Sequence, residues 1–372
     1  MNVLITGGAG FIGSHLADAL LAEGHAVRVF DSLDPQVHGK EQRVPRYLSR
    51  DVEFVHGDIR DRAALKKTLA GIDVVFHEAA AVGVGQSMYE IQRYVEVNSA
   101  GTANLLDIIV NTKQKLEKLI VASSMSIYGE GKYFCGHCGS VAPTARNDDR
   151  LLSRKWEMSC PRCHLDVKPL PTDEEKPLNP TSVYAISKRD QEELCLTVGK
   201  AYGIPTTALR YFNVYGPRQA LSNPYTGVLA IFSSRLLNRK SPVIHEDGLQ
   251  SRDYVHVRDI VQANLLAMTS NGANDQVFNV GTGRCTSVRA LAGIIMKKLG
   301  REFEPEVTNK YRAGDIRHCY PDITKISTML KYSPSVMLEE GVSDAVSWVR
   351  EEVADDKVEK ATRELIERNL LR

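Results

Sequence analysis

A tyrosine and a lysine four residues apart, Tyr184 and Lys188, are the side chains of this sequence best suited to proton transfer. On a helix, this spacing places both side chains on one face. A neighbouring ammonium group favours the phenolate and lowers the tyrosine pKa from its ordinary value of about 10. Such a tyrosine can take a proton from a hydroxyl group while a hydride leaves the same carbon. Because the pair is common by chance, its interpretation depends on the rest of the chain.

A glycine-rich stretch, Thr6–Gly13, lies between a predicted strand and a predicted helix and fits two dinucleotide-binding spacings. Glycine permits a tight turn, a close approach of the backbone to a pyrophosphate and close packing of helix on strand. The free N–H groups at the helix start then face the phosphates. Asp31 follows Gly13 by 18 residues, at the end of the next strand. It either caps a turn or accepts hydrogen bonds from a ribose and repels a 2′-phosphate, and the glycines favour the second reading, hence NAD.

The elements that must position these residues alternate between short apolar runs and helical patterns. This alternation predicts an α/β fold of the Rossmann type, a doubly wound parallel sheet covered by helices on both faces. Strands are predicted at 3–5, 26–30, 52–55, 74–76, 119–122 and 206–210, and helices at 12–22, 61–70, 89–112 and 182–202. The predicted domains are an NAD-binding domain over 1–215 with an insertion at 131–172, a smaller substrate lobe over 216–352, and a tail over 353–372 that forms a surface helix.

Further motifs follow one another along the chain in an order that indicates a protein family. Ser123–Ser126 ends a predicted parallel strand, where ligands of open α/β sheets bind, and Asn179–Ser182 forms a turn and cap before the Tyr184 helix. Other stretches are His77–Ala80, Val97–Thr102, Arg210–Arg218, Arg252–Val257 and Arg312–Asp315. With these motifs the chain resembles the extended short-chain dehydrogenase/reductase family, in its nucleotide-sugar epimerase and dehydratase branch. The resemblance covers residues 1 to about 350, apart from the insertion.

The resemblance implies a role for each matching residue. Tyr184 is the proton acceptor and donor, Lys188 holds the nicotinamide ribose and lowers the tyrosine pKa, and Ser124 bonds the reacting sugar oxygen. The implied NAD-binding residues are Gly7, Gly10, Phe11, Ile12, Gly13, Asp31, Asp58, Ile59, Ala79, Asn98, Tyr184, Lys188 and Phe212. The implied substrate residues are Asn213, Arg252 and Arg312 at the diphosphate, with Asp315 beside them, Val243 and His245 at the base, and Gln86, Ser87 and Ser124 at the sugar.

The residues after Ser124 reduce the number of reaction types that the family resemblance allows. Dehydratases and decarboxylases of the family carry an acidic residue just after the catalytic serine or threonine, whereas this chain has Met125 and Ser126. A methionine cannot transfer a proton, so we expect simple redox at one carbon, as in a nucleotide-sugar 4-epimerase. The alternatives are an NAD-dependent reductase or dehydrogenase of 4-keto nucleotide sugars, and a non-enzymatic module that kept the fold.

Two C-x-x-C pairs, Cys135 with Cys138 and Cys160 with Cys163, lie in the insertion and are separated by 21 residues. Four thiolates at this spacing predict a structural zinc site; a redox pair or four unligated thiols are the alternatives. The insertion leaves and rejoins the fold near Ser124 and Tyr184, which suggests a lid over the sugar pocket. A cysteine insertion of this kind resembles a subgroup of dTDP-L-rhamnose 4-epimerases, with UDP-glucose and UDP-glucuronate as alternative substrates.

Charge and hydropathy exclude several partners. Lys and Arg number 47 against 46 Asp and Glu, so no overall basic field would hold a nucleic acid or an anionic membrane. No apolar run approaches the ~18 residues of a membrane-spanning helix. The N-terminus lacks the basic leader of an export signal, which predicts a cytoplasmic protein. The family resemblance implies a homodimer paired through the helices at 89–112 and 182–202.

Overall fold

The computed structural model describes residues 1–112, 115–225, 227–352 and 355–372. The strands are β1 Asn2–Thr6, β2 Ala26–Asp31, β3 Glu53–His56, β4 Val74–His77, β5 Lys118–Ser124, β6 Lys132–Cys135, β7 Gly139–Val141, β8 Val167–Leu170, β9 Thr206–Tyr211, β10 Asn213–Tyr215, β11 Val243–Ile244, β12 Ser251–Arg252, β13 Tyr254–His256, β14 Gln276–Val280, β15 Thr286–Ser287, β16 Glu306–Val307 and β17 His318–Cys319.

The helices are α1 Phe11–Ala22, α2 Pro35–His38, α3 Arg62–Thr68, α4 Val84–Ser87, α5 Ile91–Tyr94, α6 Gly101–Asn111, α7 Asp148–Leu152, α8 Val183–Tyr202, α9 Val228–Leu237, α10 Val257–Thr269, α11 Val288–Leu299, α12 Thr324–Leu330, α13 Leu338–Glu351 and α14 Val358–Glu367. A π-helical turn, Val95–Ala100, joins α5 to α6. Two short 3₁₀ turns occur at Met125–Tyr128 and Asn271–Ala273. None of the described helices has the length and apolar character needed to cross a membrane.

A seven-stranded sheet in the order β14-β9-β5-β4-β1-β2-β3 organises the fold. Every neighbouring pair in it is parallel. The central strands are apolar and almost completely buried because helices cover both faces. The predicted Rossmann-type sheet is therefore confirmed. The strand order reverses at β1 and β4, and such a switch point opens a ligand crevice at the carboxyl ends of the strands.

The helix predicted over 89–112 is divided into α5, the π-helical turn and α6. Asn98 lies in the π-helical turn and is fully buried. Its side chain bonds both backbone groups of Ala81, at 2.7 and 3.0 Å, and the hydroxyl of Ser187 at 2.9 Å. A π-helical turn of this kind often marks a functional position, and here it directs one polar side chain into the core.

Segments that follow residue 216 also contribute to the central sheet and its covering helices. Strand β14 extends the central sheet beside β9, and α10 packs against α1 on one face of it. The substrate lobe has its own apolar core between α9, α11 and α13. The insertion forms a small antiparallel sheet in the order β7-β6-β8.

The C-terminal tail contains helix α14, one side of which packs against the rest of the protein. Helix α14 buries Ala361 and Leu365, each about 6% exposed. The residues after it pair with an earlier segment, because the amide of Tyr311 donates to the carbonyl of Arg372 at 2.9 Å. The amide of Ala313 likewise donates to the carbonyl of Leu370 at 2.8 Å. The tail is thus built into the substrate lobe, while residues 353 and 354 lie outside the described residues.

Candidate active site

The first turn of α8 positions Tyr184 and Lys188. The Ser182 hydroxyl caps the helix by accepting a hydrogen bond from the amide of Ala185 at 3.1 Å. The hydroxyl of Ser87 accepts a second one from the amide of Tyr184 at 3.0 Å. Two backbone N–H groups that a helix start leaves without partners are therefore satisfied by serines. This fixes the start of α8 beside the carboxyl end of β5.

Three hydroxyl groups meet where β5 ends. The phenol of Tyr184 shares a hydrogen bond with the hydroxyl of Ser124. Ser124 also accepts hydrogen bonds from the hydroxyl of Ser126 at 2.9 Å and from its amide at 3.2 Å. The predicted catalytic tyrosine and serine thus line the same cavity. Ser126 was not among the predicted site residues, and its two hydrogen bonds hold the Ser124 hydroxyl oxygen in place.

Electrostatics around Tyr184 differ from the sequence prediction. Burial raises the pKa of the Tyr184 phenol above its usual value, and the bond to Ser124 acts in the opposite direction. The Lys188 ammonium donates to the carbonyl of Ala122 and to the amide oxygen of Gln191. Burial lowers the Lys188 pKa to about 8, although the carboxylate of Glu78 opposes this shift. In this structure Lys188 does not produce the acidic tyrosine that the spacing suggested.

A cavity of about 480 Å³ runs from the glycine turn to Tyr184 and Lys188. It collects nearly all of the predicted NAD-binding side chains. Those on its wall are Gly7, Gly10, Phe11, Ile12, Gly13, Asp31, Asp58, Ile59, Ala79, Tyr184, Lys188 and Phe212. Asn98 is absent from this wall because its amide is buried against Ala81 and Ser187, where it holds the loop beneath the cavity.

The glycine turn and Asp31 fit a dinucleotide. Gly7 has a φ of +71°, and a Cβ there would come within 2.9 Å of the Ala79 backbone. A Cβ on Gly13 would lie 2.6 Å from the Cα of Gly8. The Asp31 carboxylate accepts one amide N–H on each oxygen, from Ala9 at 3.0 Å and from Leu33 at 2.8 Å. Each oxygen retains a lone pair for a ribose hydroxyl.

A second cavity, of about 290 Å³, meets the first one. We call the residues that line both cavities the junction; they are Val84, Met125, Ser126, Asn213, Tyr225 and Gly227. The second cavity also collects most of the predicted substrate residues. Those on its wall are Asn213, Val243, His245, Arg252, Arg312 and Asp315. A ligand in this cavity therefore reaches the Tyr184–Ser124 pair through the junction.

Two arginines give the second cavity its positive charge. The Arg252 guanidinium donates to three carbonyl groups, those of Ser251, Ile316 and Arg317, and forms no ion pair within the described ranges. Arg312 pairs with Asp315 at 2.8 Å. Burial would raise the pKa of Asp315, but both arginines hold it below its usual value. These cations suit a diphosphate, since guanidinium groups match phosphate oxygens in a planar fork.

Three polar groups on the wall of this cavity are buried without a hydrogen-bond partner among the described residues. They are Oδ1 of Asn213, Oε1 of Gln250 and the hydroxyl of Tyr254. An unsatisfied buried polar group costs about 1–3 kcal/mol, so such groups mark places where a ligand completes the bonding. Sequence reasoning missed Gln250 and Tyr254. Tyr254 belongs to the Arg252–Val257 motif, but the motif alone does not indicate where the phenol points.

Gln86 and Ser87, which the resemblance places at the sugar, form hydrogen bonds within the protein. The Gln86 side chain is bonded to Gln36, Glu90 and Tyr94, and Ser87 donates to the carbonyl of Val84. Neither lines the two cavities described above, because the short helix α4 turns both inward. Val84 and its neighbour Gly85 line the substrate cavity instead.

The insertion is not the predicted lid, since none of residues 131–172, all of them described, lines either cavity. It braces the substrate lobe from outside. The fully buried guanidinium of Arg317 bonds Glu157 of the insertion together with Glu246 and Asp247. Arg146 of the insertion bonds Glu246 at 2.7 Å. Glu246 follows His245 in the chain, so the insertion supports one wall of the substrate cavity.

Comparison with known proteins agrees with this geometry. The model of the NAD dependent epimerase/dehydratase family matches residues 3–148 and 158–281. The chain belongs to this family. A dTDP-L-rhamnose 4-epimerase of Burkholderia thailandensis is 33% identical over 354 residues, covering 95% of this chain and 96% of the relative. The stretch of this chain between the two matched ranges, 149–157, falls within the insertion.

Solved structures of family members are similar over nearly the whole chain. The UDP-glucose 4-epimerase of Thermotoga maritima, solved with UDP-glucose, has 35% identity and a TM-score of 0.77, covering 94% of this chain and 99% of that one. The UDP-glucuronic acid 4-epimerase of Bacillus cereus, solved with UDP-glucuronic acid and NAD, has 29% identity and a TM-score of 0.75 over the same shares.

Tyr254→Phe should separate stability from binding. Removing a buried hydroxyl that has no partner should leave the melting temperature of the free protein unchanged or raise it. If the hydroxyl bonds the ligand, its loss should weaken nucleotide-sugar binding about 2-fold to 13-fold, as expected for one hydrogen bond of about 0.5–1.5 kcal/mol. Differential scanning calorimetry and titration calorimetry measure the two effects. A lowered melting temperature with unchanged affinity would contradict the assignment.

Proposed function

We propose that this protein is a nucleotide-sugar 4-epimerase that uses NAD and works through reversible oxidation at C4 of the sugar. The observation that carries the proposal is the Tyr184–Ser124 hydroxyl pair beside the junction of two cavities. One cavity has the glycine turn and the Asp31 carboxylate of a dinucleotide site. The other has two arginines suited to a diphosphate, so that a sugar between them reaches the hydroxyl pair.

Ser124 and Tyr184, beside the junction, account for both proton steps. Ser124 bonds the C4 oxygen, and the Tyr184 oxygen takes the proton of that hydroxyl as the C4–H bond breaks. NAD, when bound, supplies the hydride acceptor and a positively charged ring that favours a nearby phenolate. When the 4-keto sugar, after turning over, is reduced on its other face, Tyr184 would return the proton to the C4 oxygen. The cycle consumes no oxidant or reductant.

The junction favours epimerisation over dehydration. None of its six residues is acidic, and Met125 occupies the position that follows Ser124. A dehydratase needs a group there that removes a proton next to the keto carbon. The likeness to the Burkholderia thailandensis relative favours dTDP-L-rhamnose as substrate, and the solved relatives favour UDP-glucose or UDP-glucuronate as alternatives. A 4-keto nucleotide-sugar reductase is the second candidate function, because it would use the same residues.

The function is tested with a panel of UDP-, dTDP- and GDP-sugars, following the C4 configuration by NMR. The protein should invert C4 of at least one sugar without added NAD. Tyr184→Phe should lower kcat by about 10²–10⁴-fold, the usual contribution of a general acid–base, while the fold and the NAD content stay the same. Stoichiometric consumption of NADH without inversion would identify a reductase, and undiminished turnover by Tyr184→Phe would overturn the mechanism.

We also propose a structural zinc ion in the insertion. The Sγ atoms of Cys135, Cys138, Cys160 and Cys163 all lie within 4.8 Å of one another. Four thiolates at such separations fit the closed tetrahedral site that is typical of structural zinc. All seven cysteines are free of disulfides, which suits the reducing cytoplasm inferred from the sequence. The ion would hold together the small sheet of the insertion, and Arg146 and Glu157 lie in the segment between its strands β7 and β8.

A homodimer is the assembly we propose. Four exposed apolar side chains occupy the helices predicted to pair with a second copy. They are Ile91 in α5, Val95 in the π-helical turn, and Ile186 and Leu194 in α8, which are 36–53% exposed. These elements pack against each other. A two-fold axis beside them would bury both apolar faces at once.

Native mass spectrometry tests the zinc and dimer proposals together, with an expected mass of two chains and two zinc ions. Stripping the zinc should raise KM for the nucleotide sugar and leave bound NAD in place, because the insertion contacts the substrate lobe and not the dinucleotide cavity. A monomer would contradict the dimer. A metal-free protein with unchanged KM would contradict the bracing role.

A further inference from the structure

We infer that the C-terminal helix α14 forms a wall of the sugar site and that Leu365 restricts the substrate to sugars with an uncharged C5 substituent. This inference rests on the proposed function, since it concerns the sugar of the same nucleotide-sugar site. It assigns a specificity role to a tail that lies beyond the residues the family model matches.

One face of α14 belongs to the substrate cavity. Val358, Ala361, Thr362 and Leu365 all line it, at the spacing of three and four residues that places side chains on one side of a helix. The neighbouring residue Ile366 is rotated by about 100° around the helix. It is not among the residues that line the cavity, and it is 42% exposed. The helix is thus amphipathic, and it turns its apolar side toward the cavity.

The position of Leu365 identifies the sugar end. A Cβ added to Gly85 would lie 3.4 Å from Cδ2 of Leu365, so the Leu365 side chain lies beside Gly85. Gly85 directly follows Val84, a junction residue. Leu365 therefore lies near the point where the substrate cavity opens toward Tyr184 and Ser124. In the proposed reaction this is the end that receives the sugar.

The helix is fixed to both lobes by polar contacts. The Glu364 carboxylate accepts hydrogen bonds from the phenols of Tyr225 at 2.6 Å and Tyr89 at 3.0 Å. Tyr225 is itself a junction residue. The guanidinium of Arg368 lies over the Tyr89 ring, 4.4 Å from its centre. These contacts hold Leu365 in place before any ligand binds.

The chemistry of this wall discriminates between sugars. Three of the four α14 side chains in the cavity are hydrocarbon, and the fourth is an uncharged threonine. Among the described residues that line the cavity, the arginines are Arg252 and Arg312, which the diphosphate would occupy. A sugar carboxylate against Leu365 would lose its water without gaining a cation, which is costly. A methyl or hydroxymethyl group at C5 meets no such penalty.

The test compares Leu365→Lys with Ile366→Lys, which adds the same charge one residue away on the solvent side. Both are made in NAD-loaded Tyr184→Phe protein, so that binding is measured without turnover. Titration calorimetry gives Kd for UDP-glucose and UDP-glucuronate, which differ only at C6. The Tyr184→Phe protein without a further substitution should bind UDP-glucose with a Kd at least tenfold lower than its Kd for UDP-glucuronate. Leu365→Lys should shift the ratio toward UDP-glucuronate at least tenfold, and Ile366→Lys less than twofold.

Leu365→Ala serves if the lysine variant does not fold, and it should weaken UDP-glucose binding about threefold to tenfold. Equal affinity of the Tyr184→Phe protein for both sugars, or equal ratios in the two lysine variants, would overturn the inference. The ratio of the two Kd values could change with Leu365 although the protein that retains Tyr184 epimerises no sugar. That result would refute the proposed function but support the role of α14 in sugar binding.

Discussion

The contact between the first turn of α8 and the carboxyl end of β5 is the constraint on which the rest of the site depends. The Ser87 hydroxyl accepts a hydrogen bond from the amide of Tyr184, and the Lys188 ammonium donates one to the Ala122 carbonyl of β5. Gln191, one turn further along, bonds Lys188 in turn. These groups are buried, where an unpaired one would be expensive, so they fix a single arrangement. Tyr184 is therefore positioned before a ligand arrives, which reduces the ordering that the reaction requires.

The cysteine insertion and helix α14 support different parts of the substrate cavity. The cysteine insertion braces the wall that carries His245 through the buried charges of Arg146, Glu246 and Arg317. Helix α14 forms part of the inner wall with Leu365. The sequence suggested the insertion as the covering element because it departs and returns near the reactive residues. Chain proximity at the ends of a segment does not determine where its middle lies, and the buried charges draw it to the outer side.

Local patterns explain which parts of the structure were predictable. The buried strands and the glycine turn follow from apolar runs and from backbone that tolerates no Cβ, so β1, α1 and the dinucleotide site could be located from the sequence. The roles of Asn98, Gln250 and Tyr254 could not be predicted in this way. Asn98 bonds partners that are distant in the chain, whereas polar atoms of Gln250 and Tyr254 are buried without a hydrogen-bond partner among the described residues. The Tyr184 pKa also escaped prediction, since the helical spacing gives proximity to Lys188 but not the degree of burial.

The most direct measurement follows a deuterium label placed at C4 of the nucleotide sugar that the protein turns over. In the proposed mechanism the hydride leaves C4 and returns to the same carbon, while only the hydroxyl proton passes through Tyr184. NMR should therefore find the label fully retained at C4 in the inverted product, in ordinary water, with no label gained from heavy water in the reverse experiment. Loss of the label to solvent would show that C4 is inverted by proton abstraction, and it would contradict the account.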